Sequence, residues 1–266
     1  MLIVAENINT SRKQVAPLVE NKDKDAIQDI ARKVTEAGAG FVDVNCGTFV
    51  SQEVELLPWL VSVVQEVTDK PVCVDSPNPK AMEAALAVCR GQVMLNSITA
   101  ETARYESLIP MVKKYRTKVI ALCMDDAGMP ETVEERLNVA KKLVGRLESD
   151  GVSRDDIYVD PLVRPIGAVQ GAGKMVLDTI WAVMHELKGV HTICGLSNVS
   201  FGLPVRKLLN QTFEIMCMTA GLDSVIMNPL DKQQMAQMLA CEALLGSDEY
   251  CMNYVSAHRE GKLELV

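Results

Sequence analysis

Short apolar runs alternate with longer amphipathic stretches along the whole chain. The apolar runs predict strands over 2–5, 41–44, 71–74, 93–95, 118–123, 156–159, 190–194 and 224–227. Between them, apolar residues recur three and four positions apart, the spacing of a helix with one buried face. Helices are predicted over 52–67, 79–89, 101–115, 173–187 and 231–245, and three further amphipathic stretches complete the alternation.

Those three stretches carry their own stop signals. The first contains Ile27, Ile30, Ala31 and Val34 and stops at Gly38. A glycine just past a helix is a common C-terminal cap, because it adopts left-handed dihedrals without strain. The other two are predicted to end in the same way, the second running from Val133 to Leu147 before Asp150-Gly151 and the third from Leu208 to Met216 before Gly221.

Eight strands and eight helices in strict alternation predict a (β/α)₈ barrel, the TIM-barrel fold. A doubly wound α/β sheet is the alternative, but it usually needs fewer units for this length. No linker, low-complexity tract or block of like charges interrupts the alternation. We therefore expect residues 1–266 to form a single domain.

Composition and charge narrow the class of protein. Hydrophobic residues make up 48% of the chain and aromatic residues only 4%, so aliphatic side chains and methionine must fill the core. The net charge is -8 with scattered lysines and arginines, which argues against nucleic acid or an anionic membrane as partner. We expect no cleavable signal, and the sequence has no apolar segment of about 18 residues, the length that a membrane span needs.

The eight cysteines contain no C-x-x-C pair and no spacing typical of a zinc site. Three of them lie inside strand-like runs, where a thiol behaves as a small buried apolar group: Cys73, Cys123 and Cys194. This usage indicates a reducing compartment, so we expect a cytoplasmic protein.

Polar residues cluster where the predicted strands end, which is the face of a barrel that carries its chemistry. They are Glu6 and Asn7, Asp43 and Asn45, Asp75 and Ser76, Asn96 and Ser97, Met124 and Asp125, Asp160, Ser197 and Asn198, and Asn228. The set is rich in carboxylates and amides and contains no lysine or histidine. A Schiff-base aldolase and a histidine-ligated metal hydrolase are therefore not expected.

Carboxylates at this face suit a neutral or cationic ligand that presents hydrogen-bond donors. A carboxylate that faces an N–C–N edge makes two parallel hydrogen bonds, and the 2-amino-4-oxo edge of a pterin offers such an edge. Each residue also has a structural interpretation, since Asp75 and Asp160 would serve equally to brace the loops that follow them. The structural interpretation is weaker for the set, because several converging polar groups are costly to bury without partners.

The stretch from Gly195 to Pro204 follows the seventh strand and presents Ser197, Asn198 and Ser200 on a strand-to-helix loop. Pro204 is predicted to lie in the first helical turn, where its missing amide costs no hydrogen bond. Arg206 comes soon after. A cation at a helix N-terminus opposes the helix dipole, so we expect an anionic group near Arg206.

These motifs together resemble one family. Asp43-Val44-Asn45, Val74-Asp75-Ser76, Leu95-Asn96-Ser97, Tyr158-Val159-Asp160-Pro161 and Gly195-Leu196-Ser197-Asn198-Val199-Ser200 with Arg206 are similar to those of the methyltetrahydrofolate:corrinoid protein methyltransferases, which share the pterin-binding barrel of cobalamin-dependent methionine synthase. The resemblance spans essentially the whole chain.

The resemblance implies specific roles. Asp75, Asn96 and Asp160 would hold the pterin ring, Asn198 would act as the catalytic residue at N5 of tetrahydrofolate, and Arg206 would lie near the pterin or its tail. Glu6 and Asn45 are further expected contacts. Cobalt of a corrinoid would exchange the methyl group with N5. No metal ligand is required from this chain.

The family resemblance also implies partners. The chain lacks the Asp-x-His-x-x-Gly signature of a cobalamin-binding domain, since Cys194 stands where the glycine would follow His191. The corrinoid is therefore expected on a separate protein, and the family implies a homodimer. The direction of transfer stays open, as does the choice between folate and tetrahydromethanopterin.

Two other functions fit the same residues. One is a magnesium-dependent lyase with an oxygen cage built from Glu6, Asp43, Asp75 and Asp160. The other is a folate-binding subunit without turnover, in which changing Asn198 would leave pterin binding unaffected.

Overall fold

The computed structural model describes residues 1–263, in which eight parallel strands close into a barrel. In chain order they are β1 (Leu2–Asn9), β2 (Phe41–Asn45), β3 (Val72–Asp75), β4 (Val93–Thr99), β5 (Lys118–Leu122), β6 (Ile157–Asp160), β7 (His191–Gly195) and β8 (Ser224–Met227). Each strand pairs with the next, and β8 closes the barrel against β1, from Leu2 opposite Ser224 to Ala5 opposite Met227. The predicted (β/α)₈ barrel is confirmed, and the doubly wound sheet is wrong.

Helices connect the strands and surround the barrel. They are α1 (Ala16–Glu20), α2 (Lys24–Glu36), α3 (Glu53–Gln65), α4 (Pro79–Leu86), α5 (Thr102–Tyr115), α6 (Val133–Ser149), α7 (Ala172–Glu186), α8 (Arg206–Ala220), α9 (Lys232–Leu244) and α10 (Met252–Arg259). Short 3₁₀ helices cover Arg154–Asp156, Leu196–Ser200 and Glu249–Cys251. The predicted helices are confirmed to within a few residues. The pattern missed α1 and α10 because each buries a single residue and has no apolar periodicity.

The predicted helix ends are confirmed by the backbone. Gly38 after α2 and Gly221 after α8 have φ values of 101° and 110°, in the left-handed region that favours glycine. Gly151 follows α6 with a φ of 89°. At the other end of α6, Thr132 and Glu135 form a capping box, in which each side chain accepts a hydrogen bond from the other's backbone amide.

The predicted start of α8 at Pro204 is wrong. The helix begins at Arg206, and Pro204 lies two residues before it. The reason is Val205, which has a φ of 50° and a ψ of 44° and so interrupts any helical path from Pro204. The residues between Leu196 and Ser200, predicted as loop, instead form a 3₁₀ helix.

Two strands are longer than predicted. β1 continues to Asn9 and β4 to Thr99, so Glu6, Asn7, Asn96 and Ser97 lie inside strands and not beyond them. In both strands the pairing register shifts at these polar residues, between Ala5 and Ile8 in β1 and between Asn96 and Ile98 in β4. Such irregularities re-aim side chains at the rim of a barrel.

The core has three parts. Inside the barrel, seven strands each contribute one buried side chain: Val4, Phe41, Cys73, Met94, Ile120, Tyr158 and Ile193. Outside it, a large apolar cluster packs β1 to β6 against α1 to α6. A smaller cluster packs β7, β8 and Ile3 of β1 against α7, α8 and α9, and both α7 and β1 contribute to the two clusters. Cys73, Cys123 and Cys194 are buried as predicted.

No helix within residues 1–263 is long and apolar enough to cross a lipid bilayer.

Glu214 is an unusual member of the smaller cluster. Its side chain on α8 is buried, and neither carboxylate oxygen has a hydrogen-bond partner within residues 1–263. Burial raises the pKa of Glu214 to about 7; the Gln234 amide lowers it, while the charges of Asp231 and Glu242 raise it further.

We therefore expect Glu214→Gln to stabilise the protein at alkaline pH. The folded state holds a proton on Glu214 that the unfolded state releases near its ordinary pKa, so stability falls as pH rises toward and through about 7. At pH 8 the variant should gain about 1–3 kcal/mol in free energy of unfolding, and at pH 5 the gain should be far smaller.

Urea denaturation at both pH values measures the effect, with Glu134→Gln on the exposed face of α6 as the control. An identical change in stability at pH 5 and pH 8 would contradict the prediction.

Candidate functional site

The predicted ring-binding residues lie at the C-terminal end of the barrel. Asp75 is the last residue of β3 and Asp160 the last residue of β6. Asn96 lies in β4 directly opposite Asp75 in the strand pairing. All three are half-buried, so each keeps an opening toward solvent. The parallel barrel thus presents two carboxylates and one amide at the same rim.

Asn45 orients Asp75. Its Nδ2 donates to Oδ2 of Asp75 at 2.8 Å, while its own Oδ1 accepts a hydrogen bond from the backbone amide of Gly47 at 2.9 Å. Burial raises the pKa of Asp75 to about 6; the hydrogen bond from Asn45 and the charge of Arg104 lower it, and Glu53 raises it. Asp75 is therefore a fixed acceptor that titrates just below neutral pH.

Asp160 is held by the loop that follows it. The backbone amide of Leu162 donates to Oδ1 of Asp160 at 2.8 Å, and this is the only hydrogen bond to that side chain within residues 1–263. The loop-bracing interpretation is thus correct for one oxygen. Burial raises the pKa of Asp160 to about 6, opposed by the Leu162 amide and the Arg136 charge.

Asp43 lies beneath this rim. Its side chain is buried, and its Oδ1 has no hydrogen-bond partner within the described part of the chain. Burial and the neighbouring charge of Asp75 raise the pKa of Asp43 well above its usual range, while Cys73 and Asn96 lower it. A neutral Asp43 beneath an ionised Asp75 avoids placing two close negative charges in a low dielectric.

Asn198 projects from the 3₁₀ helix after β7. Leu196 and Val199, on either side of it, are buried and anchor the helix, whereas Asn198 is exposed. Its side-chain amide makes no hydrogen bond within residues 1–263, and its Nδ2 lies over Gly195, 3.2 Å from where a Cβ would stand. The amide is free to meet a ligand with both a donor and an acceptor.

Arg206 fastens this 3₁₀ helix. Its Nη2 donates to the Ser197 carbonyl at 2.6 Å and its Nε to the Ser200 hydroxyl at 3.0 Å. These partners are neutral oxygens, but the charge of Arg206 also acts on Glu6. Burial raises the pKa of Glu6, and Arg12, Ser197 and Arg206 lower it. Glu6 is thus a carboxyl group on which the charge of Arg206 acts, and the anionic group expected beside Arg206 stays a prediction.

Glu6 joins β1 to the two neighbouring segments. Its Oε1 accepts from Nη2 of Arg12 at 2.7 Å, and its Oε2 accepts from the Ser197 hydroxyl at 3.4 Å. The sequence reasoning missed Arg12, because an arginine in a loop after a strand has no distinguishing pattern.

A cavity of about 570 Å³ opens beside these residues. Glu6, Asn198 and Arg206 line it together with Arg12, Lys207, Asn228 and neighbouring residues. Asp75, Asn96 and Asp160 lie outside this lining, on the β3, β4 and β6 side of the barrel. The structure therefore divides the predicted site residues into two clusters. The carboxylate cluster, at one side of the rim, is Asp75, Asn96 and Asp160. The Asn198 cluster, at the other side, is Glu6, Asn198 and Arg206.

The remaining strand-end residues have structural partners. Asn7 donates to Asn228 at 2.7 Å, so β1 and the end of β8 are joined by their side chains. Asp125 lines a second cavity of about 520 Å³ beside the N-terminal half of α6.

Within residues 1–263, no three acidic, histidine or cysteine side chains are grouped to hold a metal ion.

Comparisons with known proteins show which family the chain belongs to. The model of the pterin binding enzyme family matches residues 6–228. The methylcorrinoid:tetrahydrofolate methyltransferase of Eubacterium limosum is 34% identical over 265 residues, which covers 99% of this chain and 98% of the relative.

Two other proteins are similar over only part of their length or in fold alone. The methionine synthase of Mycobacterium leprae is 31% identical over 245 residues, covering 86% of this chain but only 20% of that protein. The solved dihydropteroate synthase of Xanthomonas albilineans superimposes with a TM-score of 0.70 at 19% identity, over 93% of this chain and 92% of that one. Its likeness is one of fold. The chain belongs to the pterin-binding enzyme family and, within it, to the group of methyltransferases.

Proposed function

We propose that this enzyme transfers a methyl group between N5 of tetrahydrofolate and the cobalt of a corrinoid that a separate protein carries. The observation that carries the proposal is the Asn198 amide, which is exposed, unbonded within residues 1–263, and held on an anchored helix at the rim. The Eubacterium limosum relative, whose name states this reaction, supports it along the whole chain.

In this proposal the carboxylate cluster binds the pterin. Asp75 and Asp160 accept hydrogen bonds from the ring N–H groups, and Asn96 completes the edge. Both carboxylates are half-buried and already fixed by one hydrogen bond each, from Asn45 and from the Leu162 amide. Preorganised acceptors of this kind lose little freedom when a ligand binds.

Asn198 acts at N5. The N5 atom has a hydrogen when unmethylated and none when methylated, so its partner must accept in one state and donate in the other. An uncharged amide offers both an oxygen acceptor and a nitrogen donor. The corrinoid supplies the cobalt, which holds the methyl group and retains the bonding electron pair when that group leaves.

The cavity beside Asn198 supports approach by a large partner. It is about 570 Å³ in volume and opens at the rim. The name of the Eubacterium limosum relative favours transfer from the methylcorrinoid to tetrahydrofolate, and we propose that direction. In this direction the methyl–cobalt bond breaks as the N5–carbon bond forms, the electron pair stays on cobalt, and the N5 proton is released to solvent.

The other expectations remain predictions. They are a single domain over residues 1–266, of which 264–266 lie outside the described part, a homodimer, and a cytoplasmic location.

We expect Asn198→Ala to reduce methyl transfer on the order of tenfold or more, while leaving folate affinity within about threefold of wild type, because the lost contact matters chiefly at N5. The assay is anaerobic and contains EDTA. Methylcobalamin and tetrahydrofolate are mixed with the enzyme, and the appearance of the Co(I) absorbance is followed; the reverse reaction is run from methyltetrahydrofolate.

Asn138→Ala on the exposed side of α6 is the matched control and should transfer at the wild-type rate. Folate binding without transfer in either direction, even with a native corrinoid protein, would favour a non-catalytic subunit. Turnover that appears only when EDTA is left out of the assay would favour the magnesium-dependent lyase.

Folate binding should weaken below about pH 6. The ionised forms of Asp75 and Asp160 accept from the ring, and burial raises the pKa of each to about 6. Affinity is therefore full above that pH and falls as either group takes up a proton. Asp160→Asn should bind more weakly at pH 7.5 and show a shallower pH dependence. Calorimetric titration with methyltetrahydrofolate from pH 5 to 8 tests this, and a pH-independent affinity in wild type would contradict it.

Gly195→Ala should impair transfer without unfolding the barrel. The new Cβ would stand 3.2 Å from Nδ2 of Asn198, so the amide must shift by a few tenths of an ångström. The φ of Gly195, -78°, suits alanine. We expect severalfold slower transfer at unchanged melting temperature. Gly145→Ala in α6, whose Cβ would meet nothing within 4 Å, is the control. A wild-type rate for Gly195→Ala would count against the placement of Asn198.

A further inference from the structure

Arg104 on α5 joins the loop that follows Asp75 to the backbone of β4 just after Asn96. Its Nη2 donates to the carbonyls of Ser76 at 3.2 Å and Ser97 at 2.7 Å, and its Nη1 donates to the Pro77 carbonyl at 2.9 Å. Its Nε reaches the Ser97 carbonyl at 3.1 Å. One guanidinium therefore fixes the backbone just after the last residue of β3 and within β4.

Arg136 on α6 does the same for Asp160. Its Nη1 donates to the carbonyls of Pro161 at 2.8 Å and Leu162 at 3.0 Å, the two residues after Asp160. Leu162 has a φ of 66° and returns its own amide to Oδ1 of Asp160. The left-handed turn that orients Asp160 is thus held from behind by Arg136.

The placement of these arginines, Arg136 buried and Arg104 half-buried, is not explained by packing alone. Arg136 is 0% exposed, its Nη2 has no hydrogen-bond partner, and within residues 1–263 neither arginine forms an ion pair. A buried cation without a counter-charge is costly. Burial lowers the pKa of both arginines; Glu101 and Asp75 raise that of Arg104. Cys123 and Asp160 raise the pKa of Arg136, and the charge of Arg164 lowers it. A carboxylate of the proposed site therefore acts on each arginine.

We propose that Arg104 and Arg136 are positioning residues for the pterin site, each fixing the backbone that carries one ring-binding carboxylate and placing a positive charge behind it. This inference rests on the proposed function. Arginine suits the task because its five donors are spread over a rigid planar fork that reaches carbonyls on separate segments, whereas the three donors of lysine sit on one flexible atom.

The charge surroundings set the expected pH effect. The charged or titratable groups around Asp75 are Asp43, Glu53, Cys73 and Arg104, and those around Asp160 are Cys123, Cys194 and Arg136. In each set the arginine is the only cation. Removing it leaves burial unopposed by a positive charge, so the carboxylate should take up its proton at higher pH.

The test compares Arg104→Met, Arg136→Met and the two lysine variants with wild type. The dissociation constant for methyltetrahydrofolate is measured from pH 5.5 to 8.5, together with kcat, KM and the melting temperature. We expect each methionine variant to bind at least tenfold more weakly at pH 7 and to move the pH midpoint of binding upward by about one unit. KM should rise more than kcat falls.

The lysine variants separate charge from geometry. They keep the cation but lose the fork, so the pH midpoint should stay near the wild-type value while affinity still falls severalfold. If a methionine variant does not fold, the lysine variant at the same position tests the inference: a severalfold loss of folate affinity supports it, and wild-type affinity contradicts it.

Arg154→Met is the matched control, because Arg154 also donates three hydrogen bonds, to Glu148 and the Lys188 carbonyl, at the opposite end of the barrel. It should bind folate as wild type does. Wild-type affinity and pH midpoint in the Arg104 and Arg136 variants would overturn the inference and leave the proposed function intact. No folate binding by the wild-type protein would overturn both.

Discussion

Closure of the barrel by β1 and β8 is the constraint on which the site depends. Strand pairing from Leu2 to Ala5 joins the first strand to the last, and Asn7 adds a side-chain hydrogen bond to Asn228 above it. Because all eight strands run in one direction, residues from distant parts of the sequence meet at one rim. Glu6 then accepts hydrogen bonds from both Arg12 and Ser197, and Ser197 lies 191 positions away from Glu6 in the sequence.

Much of the fold could be predicted because its signals are local. Burial on one side repeats with helical spacing, and glycines after α2, α6 and α8 adopt the left-handed dihedrals expected of caps. Asp75 and Asp160 end their strands as predicted, since a polar residue after a buried run marks where the strand leaves the core. Their roles toward a ligand stay predictions.

Other features depend on contacts that no local pattern encodes. The register shifts that keep Asn96 inside β4 arise from pairing with β5, and the late start of α8 follows from the left-handed Val205. Arg104 and Arg136 were invisible for a similar reason. An arginine within an amphipathic helix reads as a surface charge, and only the folded barrel shows that its donors face backbone carbonyls. The separation of the site residues into two clusters at the rim likewise depends on tertiary structure.

The two sets of site residues at the rim are supported by different outer apolar clusters. Asp75 and Asn96 belong to strands packed in the larger cluster, whereas Leu196 and Val199, which anchor Asn198, belong to the smaller one. Two elements contribute to both clusters: α7, and β1, which places Ile3 in the smaller cluster and Ala5 and Ile8 in the larger one. Under the proposed function, a pterin that contacts both Asp75 and Asn198 would span the two clusters, so its binding energy would couple two packing units that α7 and β1 also link. Ligand would then make unfolding more cooperative as well as less favourable.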